Sequence, residues 1–330
     1  MIGLSFEGET VIATTTATQV QRIALIGFTV SDLDRTVAFF EHVLGFRQIA
    51  EIEIAGAAYD TLNGLSGCKM RIARLELGAQ TVEFTEHLSR RGRTIPLQWR
   101  ANDHWFQHIA IVVSDMAKAY DRVRRHGVRQ ISVEPQTIPE WNVGAAGVQA
   151  VKLLDPDNHP LELLGFPPDK GHPCWHEATD RLFRGIDHTA ITVSDTERSL
   201  KFYRDLLGLE VAFQGINSGI TQELLDGVPE PQVRISTLVP KTSPPAIEFL
   251  HYQNPGGGSP VPADSSPADL WHWEITVVVE NVATAAEQLR AAGVRFMSSA
   301  VAAIPDPELG FSQAVMVLDP DHHAVRLVQK

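Results

Sequence analysis

The chain repeats itself. The segment IALIGFTVSDLDRTVAFFEHVLGF (residues 23–46) returns as IDHTAITVSDTERSLKFYRDLLGL (residues 186–209), an offset of 163 with Asp195 set against Asp32. Two further blocks recur at offsets of 166 and 164: ANDHWFQHIAIVVSDM with PADLWHWEITVVVENV, and VKLLDPDNHPLEL with VMVLDPDHHAVRL. A period held over the whole length limits the chain to a duplicated architecture before any single residue is weighed. Each half is itself double, because residues 108–128 (HIAIVVSDMAKAYDRVRRHGV) follow the plan of residues 23–46. Four modules result, starting near Ile23, Gln107, Ile186 and Trp273.

Local signals give each module its elements. Ile109, Ile111 and Val113 alternate as a half-buried strand does. Ser31-Asp32, Ser114-Asp115 and Ser194-Asp195 supply cap oxygens for a following helix. On the first of these helices Val37, Phe40, Val43 and Leu44 make one apolar stripe. Gly45, Gly127, Gly208 and Gly293 stand where a left-handed C-cap belongs. Asp155-Pro156-Asp157-Asn158 and Asp319-Pro320-Asp321-His322 read as tight turns between last strands.

With 330 residues there is length for two domains, and 44% hydrophobic against 21% charged residues is a globular composition. A formal net charge of −12 argues against nucleic acid or an anionic membrane as partner and leaves small molecules open. Two cysteines, Cys68 and Cys174, without Cys-x-x-Cys spacing exclude a disulfide framework and a thiolate metal cluster, and fit a cytoplasmic protein. The first twenty residues carry Glu7 and Glu9 and do not read as a secretory leader, and no apolar run approaches bilayer length. Dinucleotide, P-loop and nucleophile-elbow motifs are missing, which removes support for nicotinamide, nucleotide and serine-hydrolase chemistry.

Glu83, Glu162 and Glu248 occupy equivalent places in three modules, each between two apolar residues. In a strand the flanking pair points one way and the Glu the other. Three in register, with His108 and His188 on matching first strands, favour an inward cluster over a solvent face. Buried carboxylates need a cation, either a metal or an arginine. Imidazole with carboxylates suits Zn, Fe(II), Mn or Ni alike.

The strand–Val-Ser-Asp–helix–Leu-Gly pattern at residues 30–45 and 193–208, with the Asp-Pro-Asp-x-His-x-x-Glu-Leu ending at residues 155–163, resembles the vicinal-oxygen-chelate superfamily of glyoxalases, bleomycin resistance proteins and extradiol dioxygenases. The resemblance implies an α+β fold: four βαβββ modules forming two cupped mixed sheets, each an incomplete barrel. It places modules 1 and 2 in a first domain (residues 21–166) and modules 3 and 4 in a second (residues 185–330), after an N-terminal extension (1–20) and across a linker (167–184). It also implies a divalent metal held by first-strand and last-strand side chains. Carried over, these positions are Leu25, Glu83, His108 and Glu162 in the first pair, and His188, Glu248, Glu274 and Arg326 in the second. The expected metal set is therefore His108, Glu162 and Glu83, with Glu83 and Glu162 as catalytic carboxylates. A weaker set is His188, Glu248 and Glu274, with Arg326 competing for its acids.

The function expected is a glyoxalase-type lyase or isomerase that carries a small vicinal-oxygen substrate through an enediolate-like anion. The alternatives are an Fe(II) extradiol-type dioxygenase, if His104 or His272 supplies a second imidazole, and a metal-free binding or resistance protein. Pairs complete within one chain imply a monomer or a homodimer.

Overall fold

The computed structural model describes residues 18–241 and 244–330. The expected N-terminal extension lies almost wholly outside the described residues. Module 1 runs β1 (Val20–Val30), α1 (Leu33–His42), β2 (Arg47–Ala55), α2 (Ala57–Asn63), β3 (Lys69–Leu77) and β4 (Gln80–His87). Module 2 runs β5 (Gln107–Val113), α3 (Met116–Arg125), the short β6 (Arg129–Gln130) and β7 (Gln136–Thr137), β8 (Gln149–Leu154) and β9 (Pro160–Gly165). Module 3 repeats the first: β10 (Phe183–Thr192), α4 (Thr196–Leu200, continued by a π turn), β11 (Glu210–Ser218), α5 (Ile220–Asp226), β12 (Gln232–Val239) and β13 (Ala246–Asn254). Module 4 repeats the second: β14 (Trp273–Val279), α6 (Val282–Ala291), β15 (Arg295–Phe296), β16 (Ala302–Ala303), β17 (Gln313–Leu318) and β18 (Ala324–Gln329). The short helices α2 and α5 are additions to the expected βαβββ plan.

Cap chemistry follows the sequence. Asp32, Asp115 and Asp195 accept backbone N–H bonds at their helix starts, and Asn281 does so for α6. Gly45, Gly127, Gly208 and Gly293 all have positive φ. The two repeated motifs also grip each other. Asp157 of the module 2 turn accepts from the Ser31 backbone at 2.7 Å and its hydroxyl at 2.6 Å, and Asp321 does the same for Ser194 at 2.9 and 2.6 Å. Val-Ser-Asp and Asp-Pro-Asp are thus two halves of one brace between modules.

Two nine-stranded mixed sheets form, as the fold class requires, but not from consecutive modules. β1 of module 1 pairs antiparallel with β14 of module 4, and β5 of module 2 pairs antiparallel with β10 of module 3. One cup is therefore built by modules 1 and 4 and the other by modules 2 and 3. This corrects the assignment of modules 1 and 2 to one cup and modules 3 and 4 to the other. The reason lies in the helix sides. Phe28, Phe40 and Phe84 of module 1 share a core with Ile111, Val123 and Leu163 of module 2, and modules 3 and 4 share another. Consecutive modules spend their apolar helix faces on each other, and their first strands pair across the two halves.

Candidate metal centre

Strand alternation sorts the site residues. On β9, Leu161 and Leu163 enter the helix-side core, so Glu162 faces the cup; on β13, Ile247 and Phe249 do the same for Glu248. On β5 the helix-side residues are Ile109 and Ile111, which turns His108 inward. β10 needs a device. Its pairing with β5 slips by one residue between Ile186 and His188, a bulge that leaves Asp187 extra and sends His188 to the cup face.

These four side chains converge in the cup of modules 2 and 3. His108 Nε2 is 3.1 Å from Glu162 Oε2, and His188 Nε2 is 3.8 Å from the same oxygen and 3.7 Å from Glu248 Oε1. One ligand atom from each of His108, Glu162 and His188 lies within 4.8 Å of the others. The bulge residue Asp187 accepts from His188 Nδ1 at 3.0 Å, which fixes the ring and aims Nε2 inward. That Nε2 is buried and has no hydrogen-bond partner among the described residues. An orphaned imidazole nitrogen facing a carboxylate and a second imidazole fits a divalent cation. Glu248 is the most exposed of the four, with 19% of its side chain accessible, and the Thr237 hydroxyl donates to its second oxygen at 3.1 Å.

In the metal-free cluster one imidazole is neutral and the other is a cation that would lose its proton on metal binding. Burial drives His108 down to about 4, so it is a neutral imidazole near pH 7. Burial would raise Glu162, but His108, the Lys152 ammonium and His188 outweigh it and hold the carboxyl at about 2. Burial also opposes charge on His188, yet Glu248, Asp187 and Glu162 raise it to about 9. Glu248 is pushed up by burial, with Glu162 adding to the effect and His188 opposing it. Behind Glu162, on the neighbouring strand, Lys152 is buried and bonds Asp226 at 2.6 Å.

The other expected ligands are elsewhere. Glu83 does not join His108 and Glu162: it lies in the cup of modules 1 and 4, held by Arg326 Nη2 and Arg74 Nε, each at 2.7 Å. Glu274 does not join His188 and Glu248; it meets Arg326 Nη1 at 3.0 Å in that same cup. Leu25 fills the fourth position there. Arg326 thus neutralises Glu274, as one expectation had it, but its second acid is Glu83 and not Glu248. His272 sits 3.9 Å from Glu274, away from the imidazole pair, and His104 offers its carbonyl to His323. His159 and His323 bind the aspartates of their own turns, a structural role. Asp187, Thr237 and the Lys152–Asp226 pair escaped the sequence reading. Lys152, a charge between Val151 and Leu153, bore the same signal as the glutamates; Asp187 bore none, because a bulge is invisible to alternation.

A cavity of about 690 Å³ opens beside Glu162, His188 and Glu248. No tryptophan lines it among the described residues; Trp273, for one, packs on Phe28 in the core. Comparisons with known proteins agree with the fold. A 2-epi-5-epi-valiolone epimerase of an Actinomyces species is 32% identical over 166 residues, which are 48% of this chain and 86% of that enzyme. A lactoylglutathione lyase of Arabidopsis thaliana is 25% identical over 191 residues, 58% of this chain and 56% of that protein, so the match spans about half of that relative. Among solved structures, glyoxalase I from Zea mays matches with a TM-score of 0.58 at 18% identity, over 93% of this chain and 92% of that one. A dioxygenase-like protein from Bacillus subtilis matches with a TM-score of 0.57 at 14% identity, over 95% and 86%. The model of the glyoxalase/bleomycin resistance protein/dioxygenase superfamily matches twice, at residues 22–163 and 185–327, and the chain belongs to that superfamily.

Proposed function

We propose that this chain is a divalent-metal enzyme with one reactive cup, that of modules 2 and 3, acting as a lyase, isomerase or epimerase on a small organic molecule with vicinal oxygens. The observation that carries it is the convergence of His108, Glu162 and His188 on one point, with an orphaned His188 Nε2. His108, Glu162 and His188 are the residues that would hold the ion, with Glu248 beside them. When bound, it would supply Lewis-acid polarisation of two neighbouring substrate oxygens. Asp187 orients His188, and the buried His108 is already in the neutral form that ligation uses. Glu248, the most exposed of the four clustered side chains, takes the proton from the carbon beside the substrate carbonyl and returns it, while Thr237 holds its other oxygen. The named relatives, an epimerase and a lyase, are of the same broad class.

A second reading has its own observation. Two imidazoles and one carboxylate are also the set that non-haem Fe(II) oxygenases use, and here they come together without His104 or His272. A deuterium-exchange experiment separates the readings. Protein loaded in turn with Zn, Mn, Ni and Fe(II) is incubated in D₂O with 2-hydroxyketones from hydroxyacetone to 2-hydroxyacetophenone, and separately with catechol over an oxygen electrode. The expected result is deuterium entering beside the carbonyl, reduced at least about a hundredfold in Glu248→Gln. Oxygen uptake with catechol and no exchange would instead establish the dioxygenase.

A further inference from the structure

The walls of the reactive cavity bear on what can enter it. Away from the ligand cluster they are built by Val148, Leu164, Phe166, Phe213, Leu225 and Ile235. Two of the polar groups among them are already engaged. The Thr237 hydroxyl donates to Glu248, and Asn217 Oδ1 accepts from Asn142 at 2.6 Å. The lysines that line the cavity, Lys170 and Lys241, stand on the linker and on the β12–β13 loop, and Lys170 is 3.6 Å from Asp169. A polyhydroxylated ring placed here would leave most of its hydroxyls facing carbon, at the cost of their lost water contacts. The volume, about 690 Å³, also far exceeds what two oxygens on a two-carbon frame occupy.

The equivalent cup shows that the space is a property of particular residues. Phe311 and Leu309 close the cup of modules 1 and 4; one repeat earlier, at an offset of 164, stand Gly147 and Ala145. Cavity volume falls from about 690 to about 30 Å³ between the two. The cup of modules 2 and 3 keeps apolar walls without the side chains that would fill it.

We propose that the substrate carries its vicinal oxygens at one end of an apolar body of several carbons, and is neither a bare dicarbonyl nor a polyol. This rests on the metal reading of the same site. A series of hydroxamates tests both, because the hydroxamate group presents two neighbouring oxygens to a metal and its tail is free to vary. Zinc-loaded protein is titrated calorimetrically with acetohydroxamate, butyrohydroxamate, octanohydroxamate and gluconohydroxamate, below any micelle concentration. Affinity rises by up to about fourfold per methylene, and so by up to about four thousandfold over the six methylenes from acetohydroxamate to octanohydroxamate, and gluconohydroxamate gains nothing. Phe213→Ser and Val148→Ser, at half-buried wall positions, reduce the gain for the long tail and leave acetohydroxamate binding unchanged. Equal affinity for short and long tails, or preference for gluconohydroxamate, overturns the substrate class while the metal site stands. No binding of any hydroxamate overturns the metal reading and the substrate class with it.

Discussion

At four equivalent cup-facing positions, the sheet of modules 2 and 3 carries His108, Glu162, His188 and Glu248, and the sheet of modules 1 and 4 carries Glu274, Arg326, Leu25 and Glu83. The backbone is the same; the interiors are opposite. In the first, four ligand-type groups come together, three of them lining a large cavity, and His188 Nε2 and His108 Nδ1 have no hydrogen-bond partner among the described residues. In the second, Arg326 lies between Glu83 and Glu274 at 2.7 and 3.0 Å, and Arg74 takes the second oxygen of Glu83. Burial would raise Glu83, but the two guanidinium groups hold it at about 2. Arg74 and Arg326 both lie over Phe311, which helps to close that cup. At the position of Arg74, one repeat on, stands Thr237, which holds Glu248 with a hydroxyl and adds no charge. A cup thus becomes arginine-braced or open and lined by ligand-type groups through a few exchanges at fixed positions: cation for carboxylate, leucine for histidine, phenylalanine for glycine.

The largest effect that breaks this comparison is on the braced side. Arg326→Leu takes the guanidinium from buried Glu274, leaves Glu83 to Arg74 alone and costs about 3–5 kcal/mol, read as a fall in melting temperature, with metal content unchanged. Loss of metal with unchanged melting would move the reactive site to the other cup.

The buried ion pair behind Glu162 gives a second test. Lys152 and Asp226 occupy the places of Met316 and Asn63 in the braced cup. Lys152→Met alone strands Asp226, which also accepts from Tyr252 and Gln222 at 2.6 Å, and costs about 3 kcal/mol. Adding Asp226→Asn copies the other cup and restores most of that loss, so a double-mutant cycle is strongly non-additive. Additive losses would mean that the two cups do not share packing at these positions.

A smaller effect is pH-dependent and belongs to the metal-free protein. Folding raises His188 from an ordinary histidine value to about 9, chiefly through Glu248 and Asp187 against the cost of burial. A raised value stabilises the fold fully below about pH 6.5, and the contribution is lost as pH climbs through about 9. Urea unfolding in chelator at pH 6.5 and 9.5 should differ by at most about 3 kcal/mol from this source, and His188→Gln should flatten the difference. An unchanged slope in that variant would remove His188 from the account.

Much of this was legible in the sequence, for a physical reason. The modules, their caps and their turns repeat, and alternation told which side of each strand carries glutamate: Glu83, Glu162 and Glu248 all face a cup. Which modules share a cup was not legible. The first strands of all four modules are similar apolar runs, so β1 matches β5 or β14 equally well as text. The choice is made in three dimensions, where Phe28, Phe40 and Phe84 pack against module 2 and leave the edge of β1 to module 4. That single ambiguity split one four-residue site into two incomplete ones. Asp187 was hidden for another reason: a one-residue bulge reverses the facing of everything after it.

The central claim is that one cup binds metal and the other has replaced it with arginine. Metal content by mass spectrometry of purified protein, beside His188→Ala and Glu274→Ala, tests it directly. The account predicts one divalent ion per chain, lost in His188→Ala and kept in Glu274→Ala. Two ions per chain, or an ion that survives His188→Ala and disappears in Glu274→Ala, would contradict it.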